Sequence, residues 1–273
     1  MLTTLAVANY RSIKQLVVPL ARLNLITGPN GSGKSNLYRA LRLLAETAQG
    51  GVVNALAREG GLTSTFWAGP EVTSRRMKQG EVHIEGNVRK ETLRLRLGFS
   101  AVDFSYAIVM GLPIPEGSAF TLDPQIKHES IWAGPCYRLA SELVERKGPM
   151  IRARDGRNWQ VLAQHTPMFD SLFDQVGNLH ASPEVLQLRE SIRGWRFYDH
   201  FRTDPDAPVR QPQLGTRTPV LHHDGRDLAA ALQTILEIGK AEALHAAISD
   251  AFPGAKLAID SELGGHFYIE CYQ

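Results

Sequence analysis

Gly28-Pro29-Asn30-Gly31-Ser32-Gly33-Lys34-Ser35-Asn36 is the stretch of this chain whose residue types and spacing carry the clearest chemistry. Gly28, Gly31 and Gly33 permit positive φ, so a short loop through them can turn several backbone N–H groups toward one point, as an oligophosphate requires. Gly28, four residues, then Gly33-Lys34-Ser35 matches the phosphate-binding loop pattern. In that pattern Lys34 is the catalytic cation, reaching the β- and γ-phosphates, and the Ser35 hydroxyl holds Mg²⁺.

The elements that must position this loop are legible on both sides. Leu23 to Thr27 alternates enough to be a strand, and Leu37, Leu41, Leu44 and Ala48 recur at helical spacing before Gly50-Gly51 ends the run. The loop is therefore expected to join a strand to a helix N-terminus, where free N–H groups and the helix dipole favour an anion. Leu5-Ala6-Val7 and Leu16-Val17-Val18 read as strands around the turn Tyr10-Arg11-Ser12, and Val52 to Arg58 as a short helix closed by Gly60-Gly61.

From Glu81 the period becomes two. Val82 and Ile84, then Leu93, Leu95, Leu97 and Phe99, alternate with charges, and Phe104 to Met110 adds a third run, together an antiparallel meander with one wet face. Arg89, Lys90, Arg94 and Arg96 offer a basic strip for nucleic acid, but a solvated strand face accounts for them and is preferred. Further on come a hairpin around Asp155-Gly156, a helix from Pro183 to Trp195, and a proline-bearing loop from Asp204 to Pro219. Helices Leu228 to Ile238, N-capped by Asp227, and Ala241 to Phe252 precede strand-like Lys256 to Ile259 and Phe267 to Cys271. The expected organisation is a phosphate-loop core with the meander over 1–130, a mixed helical and hairpin insertion over 131–200, and a return to the same domain over 201–273.

The whole chain bounds these readings. Its 273 residues, 43% hydrophobic, suffice for a large α/β core. Lys plus Arg number 30 against 28 acidic residues, which excludes a strong chain-wide attraction to polyanions. Two distant cysteines, Cys136 and Cys271, argue against a disulfide framework or a zinc site. The start has no signal pattern and no run of apolar residues is long enough for a membrane span, so a cytoplasmic protein without membrane contact is expected.

With Asn9-Tyr10-Arg11-Ser12 ahead of a loop ending Gly-Lys-Ser-Asn, the sequence resembles the ABC-type ATPases of the SMC, RecF and OLD kind. Ile131-Trp132-Ala133-Gly134-Pro135, Trp195-Arg196-Phe197-Tyr198-Asp199 and Asp224-Gly225-Arg226-Asp227-Leu228-Ala229 extend the resemblance to bacterial ATPases of this class. It implies an α/β P-loop NTPase lobe with an antiparallel β-subdomain and a helical insertion. It also implies ATP and Mg²⁺ bound by Gly28 to Asn36, with Arg11 near the nucleotide and Gln125 as the glutamine that helps hold the metal. A head-to-head homodimer around two ATP molecules, engaging DNA or a partner protein in repair, chromosome maintenance or phage defence, is the implied cycle.

Such ATPases also need a signature loop and an apolar Walker B strand ending in Asp-Glu. Here His223-Asp224-Gly225 before a helix, and Lys256 to Ile259 before Asp260-Ser261-Glu262, imitate them. The strand is short and polar for a buried parallel strand, and Asp260 to Gly265 reads better as a hairpin turn. The expectation is that these 273 residues are the N-terminal part of such an ATPase. The alternatives are a nucleotide-binding interaction module that does not hydrolyse ATP and, less favoured, a small-molecule kinase. His222, His223 and Asp224 with Asp199 and His200 suggest a metal cluster only loosely, and a polar loop is preferred.

Overall fold

Alternation in the N-terminal half builds one large antiparallel sheet in the computed structural model of the chain, which describes residues 1–70, 75–81, 92–114, 117, 119–175, 182–199, 201–261 and 264–272. Eight strands are β1 (Leu2–Tyr10), β2 (Ile13–Pro19), β3 (Leu95–Ala101), β4 (Phe104–Gly111), β5 (Gln125–Ala133), β6 (Glu142–Lys147), β7 (Met150–Asp155) and β8 (Asn158–Ala163). Their order is β2-β1-β3-β4-β5-β6-β7-β8, so every neighbour but β1–β3 is consecutive in the chain. The expected meander is thus present but larger, and it crosses the division drawn at residue 130. Val82, Ile84, Arg89 and Lys90 lie outside the described residues.

One face of the sheet is apolar. Leu5 and Val7, Leu95, Leu97 and Phe99, Tyr106, Ile108 and Met110, and Ile131 are all buried there. The helix α1 (Lys34–Thr47) packs on β1 and β3 through Leu37, Ala40, Leu43 and Leu44, a broader stripe than the four-residue spacing had suggested. Helix α2 (Val52–Arg58) packs against α1, followed by the single turns α3 (Leu62–Thr65) and α4 (Arg75–Lys78). Helix α5 (Pro183–Arg193) packs on β4 and buries Val185, Leu188 and Ile192. Rings join the layers: Trp195 meets Phe99 edge-on at 5.1 Å and Phe173 meets Tyr106 at 4.9 Å.

A fully buried ion pair sits in this apolar layer. Glu129 accepts hydrogen bonds from Tyr106 (2.6 Å), Ser171 (2.7 Å), the Leu172 N–H (3.0 Å) and Arg146 (3.1 Å), and both charged side chains have no exposure. Arg146 also donates to the carbonyls of Gly148 and Pro167, each at 2.8 Å, and to that of Asp170. With every polar atom partnered the pair is tolerated in the interior, and it ties the loop 167–172 to the sheet.

Residues 1–195 form one compact unit and 196–273 a second. The second holds β9 (Gln213–Leu214), α6 (Leu228–Ile238), α7 (Ala241–Ala251), β10 (Lys256–Ser261) and β11 (His266–Tyr272), the strands in the order β10-β11-β9. Helix α6 starts where expected, but Asp227 does not cap it: its carboxylate accepts the His222 N–H at 2.9 Å instead. The backbone turn at Gly225 (φ +75°) brings His222 within that reach.

Candidate functional site

Residues 21–32 are exposed throughout and contain no strand, which corrects the expected strand over 23–27. Leu23 and Leu25 are 89% and 88% exposed. A strand exists through its pairing, and among the described residues none pairs with this segment.

The loop that follows is nonetheless shaped as its glycines foretold. Gly31 and Gly33 stand at φ +82° and +94°, and α1 begins at Lys34 with Gly33 in the N-cap position. Ser32 N–H bonds the Pro29 carbonyl (3.3 Å) and Asn36 N–H that of Gly33 (3.0 Å). Among the described residues, the N–H groups of Gly31, Gly33, Lys34 and Ser35 find no backbone acceptor, so four donors gather at a helix N-terminus. Lys34 Nζ donates to the carbonyls of Gly28 (2.6 Å) and Pro29 (2.8 Å), which holds its charge over the same loop. This donor set fits a polyphosphate, and the exposed Ser35 hydroxyl is placed to accept a magnesium ion beside it.

The family resemblance implied Arg11 near the nucleotide, and the structure brings its turn against the loop. Asn36 Nδ2 donates to Ser12 Oγ at 2.8 Å, and a Cβ on Gly33 would lie 2.6 Å from that same oxygen. The turn is strained, since Asn9 and Arg11 adopt φ +59° and +50° without being glycine. Contacts on either side hold it: Arg11 N–H to the Thr65 carbonyl at 2.7 Å, and Trp67 N–H to that of Asn9 at 3.3 Å.

Glu59 is a site residue that the sequence did not single out. Arg11 Nη2 and Nε donate to its Oε2 at 2.7 and 3.0 Å, and the Tyr10 hydroxyl reaches both its oxygens at 2.8 and 3.0 Å. Burial, followed by the Glu59 carboxylate, drives the Tyr10 phenol well above its ordinary pKa, so Tyr10 stays a donor. Only the Gly60-Gly61 stop after α2 hinted that a side chain there would be fixed.

Gln125 opens β5 opposite Gly111, and its amide oxygen accepts from Lys127 at 2.7 Å. It lies at the end of the sheet that carries the Tyr10–Ser12 turn, but three strands away, on the order of 14 Å at ~4.8 Å per strand.

The imitated Walker B belongs to a hairpin. Strands β10 and β11 pair antiparallel, Asp260 faces Tyr268 and accepts its hydroxyl at 2.9 Å, and Glu262 lies outside the described residues. His222 is engaged at both ring nitrogens, by Asp224 at 2.7 Å and Arg226 at 3.0 Å, while ligand atoms of His222, His223 and Asp224 lie within 4.8 Å of one another; His200 lies outside the described residues.

Residues 23–147 match the family model described as AAA domain, putative AbiEii toxin, Type IV TA system. The match spans the phosphate loop and strands β3 to β6, a little under half of the chain, and leaves out β1 and β2. It supports a P-loop ATPase of AAA type, and with it nucleotide binding. No curated protein sequence matches the chain significantly. Among the described residues no helix is long and apolar enough to cross a membrane.

Proposed function

We propose that the chain binds MgATP at residues 28–36 as an ABC-like ATPase of the SMC, RecF and OLD kind. In the working protein, binding would drive a dimer of two such sites that engages DNA or a partner protein. The observation that carries the reading is a glycine turn running into the N-terminus of α1, where among the described residues the N–H groups of Gly33, Lys34 and Ser35 have no backbone acceptor and Lys34 Nζ is bonded to the loop's own carbonyls. Bound Mg²⁺ would neutralise charge on the phosphates. Ser35 would hold it, Lys34 would bind the β- and γ-phosphates, and the Ser12–Asn36 contact would keep the loop in register with the Arg11 turn.

Hydrolysis needs a group that orients water, and among the described residues no carboxylate is hydrogen-bonded to the loop. Asp260, placed in a surface hairpin, favours the second reading, a nucleotide-binding module that does not turn ATP over. Both readings share one test, MgATP-induced stabilisation and phosphate release by the purified chain with Lys34→Ala beside it. Losing the lysine removes charge-assisted bonds of about 1.5–3 kcal/mol, so affinity falls about ten- to hundredfold. At MgATP near 100 times Kd the wild-type gain of about 2.7 kcal/mol shrinks correspondingly. Equal stabilisation of both proteins would remove the site assignment. Lys34-dependent phosphate release would exclude the non-hydrolysing module.

A further inference from the structure

The sheet face turned away from the helices has a composition of its own. Alternation places Ala6 and Ala8 of β1, Arg96 and Gly98 of β3, and Ala107 and Val109 of β4 opposite the buried Leu5, Val7, Leu97, Phe99 and Ile108. Ala6 pairs with Gly98 and Gly98 with Ala107, so a band of minimal side chains crosses three strands. A Cβ on Gly98 would lie 2.9 Å from the Tyr106 carbonyl oxygen and 3.1 Å from the Ala107 Cβ, which holds this floor low. Lys14, Trp67, Arg94, Arg96 and Trp132 stand around it, enclosing a trough of about 610 Å³. That volume falls within the ~300–1,000 Å³ of sites that bury a small ligand or a short piece of a larger one.

Charge separates this trough from an ordinary wet strand face. Its described lining residues include three cations, Lys14, Arg94 and Arg96, and no carboxylate. Arg94 and Arg96 are exposed, and among the described residues neither guanidinium has a carboxylate partner. A fourth cation lies alongside: a Cβ built on Gly111 would be 3.4 Å from Lys127 Cε and 3.7 Å from Arg94 Cγ, so the two stems run side by side. Burial first, and the Arg94 charge second, hold the Lys127 ammonium below its ordinary pKa. Among the described residues no acidic side chain lies in this lining, although like charges so close repel.

We infer that this trough is a docking site for single-stranded nucleic acid. The cations suit a phosphodiester chain, and Trp67 with the exposed edge of Trp132 lines the trough beside them, where the base faces that an unpaired strand offers, and a duplex stacks away, can pack. An acidic peptide would match the cations yet leave the aromatic walls without a role. The site names the partner class of the ATP-driven cycle proposed above and rests on that reading only for coupling to ATP. Strand binding itself is independent of the phosphate loop.

The test is fluorescence anisotropy of a fluorescein-labelled oligo-dT of about 12 nucleotides, titrated with the chain at several salt concentrations. Wild type binds at low salt, and Arg94→Gln/Arg96→Gln weakens binding about tenfold or more. Loss of two phosphate contacts makes the log–log salt slope shallower by about 1.4. Lys14→Gln, on a different strand, lowers affinity in the same sense. The MgATP-induced stabilisation persists in these variants, while Lys34→Ala keeps the oligonucleotide affinity, so this inference and the ATP reading can fail separately. Absence of binding by wild type, an unchanged affinity and slope in the double variant, tighter binding of a duplex, or equal competition by polyglutamate would each overturn the assignment.

Discussion

Alanine at Gly33 tests the loop and the turn beside it in one substitution. Gly33 holds φ +94° and ψ +7°, a left-handed conformation that costs an L-residue roughly 1–2 kcal/mol. The new Cβ would also meet Ser12 Oγ at 2.6 Å. That hydroxyl can rotate aside, but only by giving up the 2.8 Å bond from Asn36, about 0.5–1.5 kcal/mol. The sum is about 1.5–3.5 kcal/mol, or ~3–14 °C in melting temperature for a unit of this size. Gly31→Ala is the internal control: φ is +82° but no atom lies within 4 Å, so only the backbone cost of roughly 1–2 kcal/mol applies. Ser12→Ala should cost stability in the wild-type background and almost none in Gly33→Ala, because the contact it relieves exists only there. Urea denaturation of the four proteins of that cycle, with Gly31→Ala alongside, measures the coupling. Equal losses at Gly31 and Gly33 with additive behaviour of Ser12→Ala would refute the reasoning.

Arg146→Met should destabilise the first unit by about 3–5 kcal/mol, since it leaves Glu129 charged and buried; Glu129→Gln/Arg146→Met should recover part of the loss in the same denaturation assay. Burial alone would raise the Glu145 carboxyl, but Lys147, Arg152 and His128 together bring it down to about 2 from 4.5. Its stabilising contribution is therefore complete above pH ~4.5 and lost as pH falls toward 2, and Glu145→Gln should flatten that part of the stability profile followed by circular dichroism. Asp260→Asn should leave Lys34-dependent MgATP binding unchanged in calorimetry, because Asp260 serves the Tyr268 hydroxyl in a surface hairpin.

How far the sequence reached differs by element. Glycine at positions 28, 31 and 33 and lysine at 34 define the loop because positive φ and a helix N-terminus are local properties, settled within nine residues. The strands around Leu5, Leu97 and Ile108 were equally legible, since a period of two reports directly on a sheet with one buried face. Leu23 to Thr27 misled the same logic. Its pattern suits a strand, but strand formation depends on hydrogen-bond partners that no local pattern encodes.

Tertiary structure alone decided what meets at the site. Glu59 lies 48 residues from Arg11 along the chain and Ser12 lies 24 from Asn36, so their bonds depend on how α1 and α2 pack under the sheet. Glu129 of β5 and Arg146 of β6 are buried because the loop 167–172 lies over them and supplies bonds that make burial of charge tolerable. Arg94 and Arg96 are exposed, as the pattern had them, and the tertiary structure adds only what lies beside them. Pairing of β1, β3 and β4 set them around a floor of alanine and glycine that, among the described residues, has no acid in its lining, because register places side chains from distant segments on a common face.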